Sequence, residues 1–276
     1  MAYSPDIRYH TTKRFRSRPA VQEKQNSLKI SVSQSHLSLG IWCSLGSAMC
    51  AEVVAGSGAG WLLIDVEHGP NDVRSVVAQL QAVGQLPIEA VVRLPSDDPI
   101  LIKQFMDAGA RSLMIPNVRS AGQAREIVAA MRYPPEGIRG FSIRHRANGF
   151  GRMSDYRTTA QAQQFLAVQI ECAEGVANAA EIAAVSGVDA LFVGPGDLSA
   201  RFGSDGDLEA KLHKAIQRVV GAAGAAGKTP GIFAPIALQA EHYVELGYRM
   251  VAIGSDVGLL AAGSDALIAA FKGQSE

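Results

Sequence analysis

Between Leu37 and Lys272 the chain alternates eight times between a short apolar run and a longer helical pattern, and no other feature restricts its fold as tightly. The runs are Leu39–Ser44, Trp61–Asp65, Ile88–Arg93, Ser112–Pro116, Phe165–Glu171, Ala190–Val193, Thr229–Phe233 and Met250–Ile253. Most are continuous stretches of Val, Ile, Leu, Ala and Phe, the pattern of strands buried on both faces. Helical patterns lie between them, at Ala48–Gly56, Asp72–Val83, Pro99–Gly109, Ala121–Met131, Gly175–Ser186, Leu208–Gly227, Ala237–Gly247 and Gly258–Phe271. Such alternation selects a parallel sheet with a helix crossing between successive strands. Eight units in about 235 residues match a single (β/α)8 barrel. A doubly wound open sheet is the rival, and the missing G-x-G-x-x-G after the first run counts against it.

The domain reading is a barrel over residues 37–276 behind a basic tail, 1–36. The first thirty residues hold Arg8, Lys13, Arg14, Arg16, Arg18, Lys24 and Lys29 against Asp6 and Glu23. They show no apolar periodicity, so a disordered or extended tail is expected rather than a transit peptide or a nucleic-acid arm. One stretch inside the barrel, Tyr133–Thr159, is too long and polar for a plain helix-to-strand loop. It is expected to hold a short helix or to cover part of an active site or subunit interface.

Composition excludes whole classes. At 276 residues and 47% hydrophobic the chain buries a large core, which rules out general disorder. Three cysteines without CxxC spacing exclude a disulfide framework and a structural zinc site, and fit a reducing cytoplasm. No apolar run approaches the length of a membrane span. The basic stretch with Arg139, Arg144, His145, Arg146 and Arg152 lacks interleaved aromatics, so nucleic acid is not expected; an anionic substrate or subunit interface is.

Chemistry in a barrel gathers at the C-terminal ends of the strands. The second run ends in Asp65-Val-Glu67-His68-Gly-Pro, the third at Arg93, the fifth at Gln169-Ile-Glu171, and the sixth leads into Gly194-Pro-Gly-Asp197. Charged groups that close buried apolar runs are costly unless paired or bound to something. Glu171 and Asp197 suit a hard divalent cation such as Mg2+ or Mn2+, with arginine pairing or helix capping by Asp197 as the plain alternatives. His68 reads as a general base, a metal ligand or a hydrogen-bonded core histidine, with Asp65 and Glu67 beside it as carboxylates that favour the base. Arg93 either bridges Asp65 and Glu67 or stabilises developing negative charge on an oxygen.

Other chemistries are absent. A Schiff-base mechanism needs a lysine aimed into the barrel. Lys103, Lys211, Lys214, Lys228 and Lys272 all fall in helices, at their edges or before a strand. Neither a G-x-S-x-G elbow nor a P-loop occurs. Gly254-Ser-Asp256 reads as a weak phosphate site or an ordinary helix cap, and Cys172 as a packed thiol.

Five segments together carry a resemblance. They are Asp65-Val-Glu-His68-Gly-Pro, Val-Val-Arg93-Leu-Pro, Tyr133-Pro-Pro-Glu-Gly-Ile-Arg-Gly140, Gln169-Ile-Glu171 and Gly194-Pro-Gly-Asp197-Leu-Ser. In this order they resemble the HpcH/HpaI family of metal-dependent pyruvate aldolases, over nearly everything outside the tail. Ser142-Ile-Arg-His-Arg-Ala-Asn148 with Phe150-Gly151 is most similar to the 2-dehydro-3-deoxyglucarate branch; the 4-hydroxy-2-oxoheptanedioate and 2-keto-3-deoxyrhamnonate branches read differently there.

The resemblance implies that Glu171 and Asp197 hold a divalent cation, Mg2+ first, with Mn2+ or Co2+ as alternatives. It implies that Gln169 and the N–H groups of Gly196 and Asp197 bind the 2-oxo acid end. His68 is then the base at the C4 hydroxyl, Asp107 the acid group that supports it, and Arg93 the partner of the enolate oxygen. From the residues alone, the nearer Asp65 is the expected partner of His68. The implied reaction is retro-aldol cleavage to pyruvate and an aldehyde by a homo-oligomer, commonly a hexamer built as a trimer of dimers, whose last helix packs on a neighbour. Oxaloacetate condensation or decarboxylation at the same groups is the alternative reaction. Val66, Gly196 and Arg144 depart from the family pattern, the last where the glucarate branch has a small polar residue.

Overall fold

A computed structural model describes residues 24–203 and 207–273. Eight parallel strands close a barrel in sequence order: β1 Ser38–Cys43, β2 Trp61–Asp65, β3 Glu89–Arg93, β4 Ser112–Ile115, β5 Phe165–Ile170, β6 Ala190–Val193, β7 Thr229–Phe233 and β8 Met250–Ser255. The helices are α1 Ser27–Ser33, α2 Ala48–Ala55, α3 Val73–Val83, α4 Pro99–Asp107, α5 Ala121–Met131, α6 Tyr156–Gln163, α7 Ala173–Ala177, α8 Ala179–Ala183, α9 Pro195–Phe202, α10 Leu208–Ala225, α11 Ala237–Glu245 and α12 Asp256–Gly273. The chain is thus a TIM barrel, as the alternation predicts. None of the described helices is long and apolar enough to cross a membrane.

Strand periodicity divides the apolar residues into two cores. Every second residue points inward, so Trp42, Trp61, Leu63, Val91, Met114, Phe165, Phe192 and Met250 fill the barrel. The residues between them face the helices and form the larger outer core. Gly40 sits against Trp61, where an added Cβ would lie 2.1 Å from the indole; the bulk of Trp61 therefore depends on a glycine across the strand pair.

The structure corrects the tail. Residues 27–33, read as part of a disordered or extended segment, form α1 beneath the barrel. Leu28 and Val32, four apart on one face, join the inner core. Asn26 caps the helix and also donates to the Ser112 hydroxyl and the Gln163 carbonyl, while Lys29 pairs with Asp189 at 3.2 Å. Two apolar residues are too few to register as periodicity, and their helix is stabilised by the barrel floor rather than by propensity. The basic run 1–23 lies outside the described residues.

The long segment after α5 contains a 3-10 turn, Arg146–Asn148, and leads into α6. It packs along α4, where Arg146 donates to the Ala108 carbonyl at 2.9 Å. Ile138, Phe141, Ile143 and Phe150 stay exposed on it.

One flank of the barrel is bare. All residues of β2 through β6 are buried, but β1 and β8 show exposed and half-buried positions, Leu39 and Ile253 among them. The helix that should cover this seam, α12, leaves the barrel instead. Asp256 is its only buried residue, although Leu259, Leu260, Leu267, Ile268 and Phe271 are apolar.

Candidate active site

The inward columns of the barrel continue upward into the polar rim. Trp61 and Leu63 lead to Asp65, Val91 to Arg93, and Phe165 and Ala167 to Gln169 and then Glu171. Register sets the first contact: Asp65 lies opposite Arg93 in the β2–β3 pairing. Arg93 Nε donates to Asp65 Oδ1 at 2.9 Å and Nη2 to Oδ2 at 2.7 Å, a bidentate pair. Its Nη1 lies 2.8 Å from Glu67 Oε2, and the guanidinium sits 5.0 Å from the centre of the Trp42 ring. Both bridging possibilities for Arg93 are therefore realised. Two of its five N–H groups are hydrogen-bonded to Asp65, and Nη1 meets Glu67 as an ion pair only.

Asp65 is the hub of this rim and is 1% exposed. It also accepts from the Trp42 indole, the Ser44 hydroxyl and the backbone N–H groups of Glu67 and His68. Burial works to raise its pKa, but Arg93, the His68 N–H and Trp42 outweigh burial and hold the carboxyl below its usual range. Its bond to His68 thus runs through the backbone. The imidazole itself projects into the mouth, with Glu67 Oε2 3.9 Å from Nε2.

Asp107 is placed elsewhere. As the last residue of α4 it lies toward the N-terminal end of the barrel, because α4 descends from the rim that carries His68. Arg139 Nη2 holds it at 2.6 Å, and His145 Nδ1 lies 4.0 Å away. Within one chain the structure brings Asp65, Arg93 and His68 together and leaves Asp107 apart.

On the far side, Glu171 is 3% exposed and its Oε2 has no hydrogen-bond partner; Gln169 Oε1 is likewise unpartnered. Burial, then the nearby carboxylates of Asp197 and Glu67, push Glu171 up to about 7 against the pull of Arg93 and the Asn117 N–H. Burial also raises Glu67, aided by Asp65 and Asp197 and opposed by Arg93 and His68. Gly194 makes this crowding sterically feasible, since a Cβ there would lie 2.9 Å from Glu171 Oε2. Gly194 is also the cap residue of α9, which places Asp197 in the helix's first turn rather than at its cap. No side chain caps that end, so the N–H groups of Gly196 and Asp197 face the site at the positive end of the helix dipole. Gly196 borders open space.

A dry-walled buried carboxylate with an orphaned oxygen and a second carboxylate nearby fits a hard cation by its donor chemistry. Among the described residues no set of three or more His, Cys, Asp or Glu side chains is grouped to hold a metal ion. Two protein carboxylates would therefore leave the remaining positions to water and substrate. The cavity above these groups measures about 290 Å3, walled by Trp42, Phe192 and Phe233. A larger one, about 440 Å3, lies on the outer wall, but its Arg111 and Glu89 are already paired with each other. Chemistry, not volume, selects the mouth.

Trp42 is the rim residue that strand-end reasoning passed over, whereas Glu67 was read there only as a carboxylate beside His68 and Arg93. Trp42 was legible as the inward neighbour of Gly40 in β1; Glu67 lay in plain view beside His68.

A family model described as HpcH/HpaI aldolase/citrate lyase matches residues 38–262. The chain is 44% identical over 256 residues to a hydroxypyruvate/pyruvate aldolase of Deinococcus radiodurans, covering 91% of each. It is 41% identical over 248 residues to a 5-keto-4-deoxy-D-glucarate aldolase of Klebsiella pneumoniae, covering 90% of this chain and 97% of that one. Its fold is similar to a crystal structure of a family protein from Burkholderia cenocepacia, with TM-score 0.87, 41% identity, and coverage of 90% and 100%. The chain therefore belongs to the HpcH/HpaI aldolase/citrate lyase family and is a carbon–carbon lyase.

Proposed function

We propose that the chain is a divalent-metal-dependent pyruvate aldolase that cleaves a 2-dehydro-3-deoxy sugar acid, glucarate-like, to pyruvate and a semialdehyde. The observation that carries this reading is the orphaned, buried Glu171 carboxylate close to Asp197 and Arg93, behind a mouth that Asp197, Gln169, His68 and Arg93 line. Glu171 and Asp197 would hold the cation, Mg2+ first. When bound, it supplies positive charge near the 2-oxo oxygen, where cleavage leaves electron density. Gln169 and the N–H groups of Gly196 and Asp197 bind the carboxylate end. His68, unencumbered on its imidazole, takes the C4 hydroxyl proton. The C3–C4 bond then breaks, and the Arg93 guanidinium stabilises the enolate oxygen in place. Asp65 and Glu67 keep the guanidinium aimed. The proton taken by His68, returned to C3 through water, completes pyruvate and restores the base.

Pyruvate release from 2-dehydro-3-deoxyglucarate is expected to stop with EDTA and return with Mg2+. Release untouched by EDTA and trapped by borohydride would overturn the reading. A 4-hydroxy-2-oxoheptanedioate substrate has equal support, because relatives of nearly equal identity carry different substrate names. The ratio of kcat/KM values on the two acids decides between them.

The site's owner is a homo-oligomer in this reading. The bare β8–β1 seam, flanked by the exposed Met49 and Val53 of α2 and Leu238 of α11, is the seat that α12 leaves vacant in its own chain. A second copy's α12 fills it, and by symmetry the reverse also holds. Leu267→Asp is expected to shift the protein to a smaller species in analytical ultracentrifugation, since a charge in an apolar contact costs about 2–3 kcal/mol or more. An unchanged sedimentation coefficient would place the contact elsewhere.

A further inference from the structure

Gly254-Ser-Asp256, left unassigned by the chemistry, joins α12 to the rim. Asp256 is 7% exposed, and its carboxylate accepts from the N–H of Ser44 at 2.9 Å, of Leu45 at 3.1 Å and of Val257 at 2.8 Å. No phosphate enters this arrangement, because the carboxylate itself takes the backbone donors. It clasps the turn after β1 to the first residue of α12.

That turn touches the loop that carries His68. A Cβ on Gly69 would lie 2.9 Å from the Ser44 carbonyl and 2.5 Å from that of Asp65. A Cβ on Gly46 would lie 3.4 Å from both the Asn71 side-chain oxygen and the Pro70 carbonyl. The Ser44 hydroxyl also reaches Asp65 Oδ2 at 3.4 Å, and Asp65 accepts the His68 N–H. Residues 44–46 and 69–71 are thus interlocked backbones with no slack between them. Beyond Asp256 no residue of α12 is buried in its own chain, which leaves its apolar side open to a second copy.

We propose that Asp256 is a positioning residue that passes the seating of α12 on a second copy to the loop bearing His68. Its consequence for turnover rests on the aldolase reading; its mechanical part does not. The clasp is bidentate toward the Ser44–Leu45 turn, so tilting α12 pulls that turn off Gly69 and loosens the base.

Hydrogen–deuterium exchange of the full-length protein tests this directly. In Asp256→Asn, exchange in peptides covering 66–71 should quicken about tenfold, the effect of one lost hydrogen bond to a charged group. In Leu267→Asp, about 16 Å along the helix from the clasp, the same peptides should quicken too. The double variant should be no faster than Asp256→Asn alone, because both changes act through one link. Additive effects, or quickening confined to residues 44–45 and 257, overturn the proposal. So does a wild-type chain that sediments as a monomer. For turnover, kcat should fall about tenfold in Asp256→Asn with KM changed less than about twofold; an equal loss in both parameters would mark a merely structural role. Exchange that responds as expected in a protein that releases no pyruvate would sink the aldolase reading and leave the clasp standing.

Discussion

Glu171→Gln is expected to lower kcat for pyruvate release by about a thousandfold or more, the loss of several kcal/mol of charge stabilisation. The same change is expected to stabilise the metal-free protein. Burial and the neighbouring carboxylates raise the folded Glu171 from an ordinary 4.5 to about 7, so the folded chain binds this proton more tightly than the unfolded chain does. Ionising it therefore costs stability. The cost is absent below the ordinary value, grows as pH rises between the two, and is complete above about 7. At about 1.4 kcal/mol per unit, the variant gains roughly 3–4 kcal/mol at pH 8 and almost nothing at pH 4. Thermal unfolding of both proteins without metal at these two pH values checks the sign. Mg2+ should narrow the gap at pH 8 by binding only the folded wild type. A variant less stable than wild type at pH 8 would mean that Glu171 is paired in the resting protein.

Arg93→Met is expected to be the most damaging single change at the rim. It strands Asp65 and Glu67 in a buried site with no cation, which costs about 3–5 kcal/mol. The sign of the pH dependence follows from Asp65. In the wild type its pKa is held low despite burial, so its contribution persists at neutral pH and fades only as pH falls through the carboxylate range. Without Arg93, burial dominates and its folded pKa rises. The deficit is then complete at neutral pH and shrinks toward pH 4, where the stranded carboxyl takes up a proton. Urea unfolding at pH 5 and pH 8 should show the larger deficit at pH 8, and an equal deficit at both would dismiss the ion pair as the cause. Arg93→Lys should recover part of the stability but little of the activity, because an ammonium cannot reproduce the bidentate fork.

Much of this site was legible because a strand end makes a sharp discontinuity. Asp65, Arg93, Gln169 and Glu171 each break an apolar run, and period 2 carries each of them inward. What stayed hidden depends on contacts between elements distant in sequence. Leu28 and Val32 have no pattern until a barrel floor exists to bury them. The helical pattern Gly175–Ser186 is split into α7 and α8 at Asn178, whose side chain donates instead to the Arg119 carbonyl. Asp107 stands near His68 in no sense that the sequence can show, since a helix end and a strand end belong to opposite rims. The eighth helix was read correctly as a helix, but its departure from the barrel is a matter of what it packs on.

The order of the strands divides the labour of the site. β1 to β4 and their loops contribute Trp42, Asp65, Glu67, His68 and Arg93, the groups that in the proposed reaction move and steady the proton and the enolate. β5 to β8 and their loops contribute Gln169, Glu171 and Asp197, the groups proposed to grip the oxo acid, and Asp256, which holds the start of α12. A cut between β4 and β5 would thus part the base from the electrophile's seat, with neither half holding a complete reaction. The site is therefore complete only where the barrel closes.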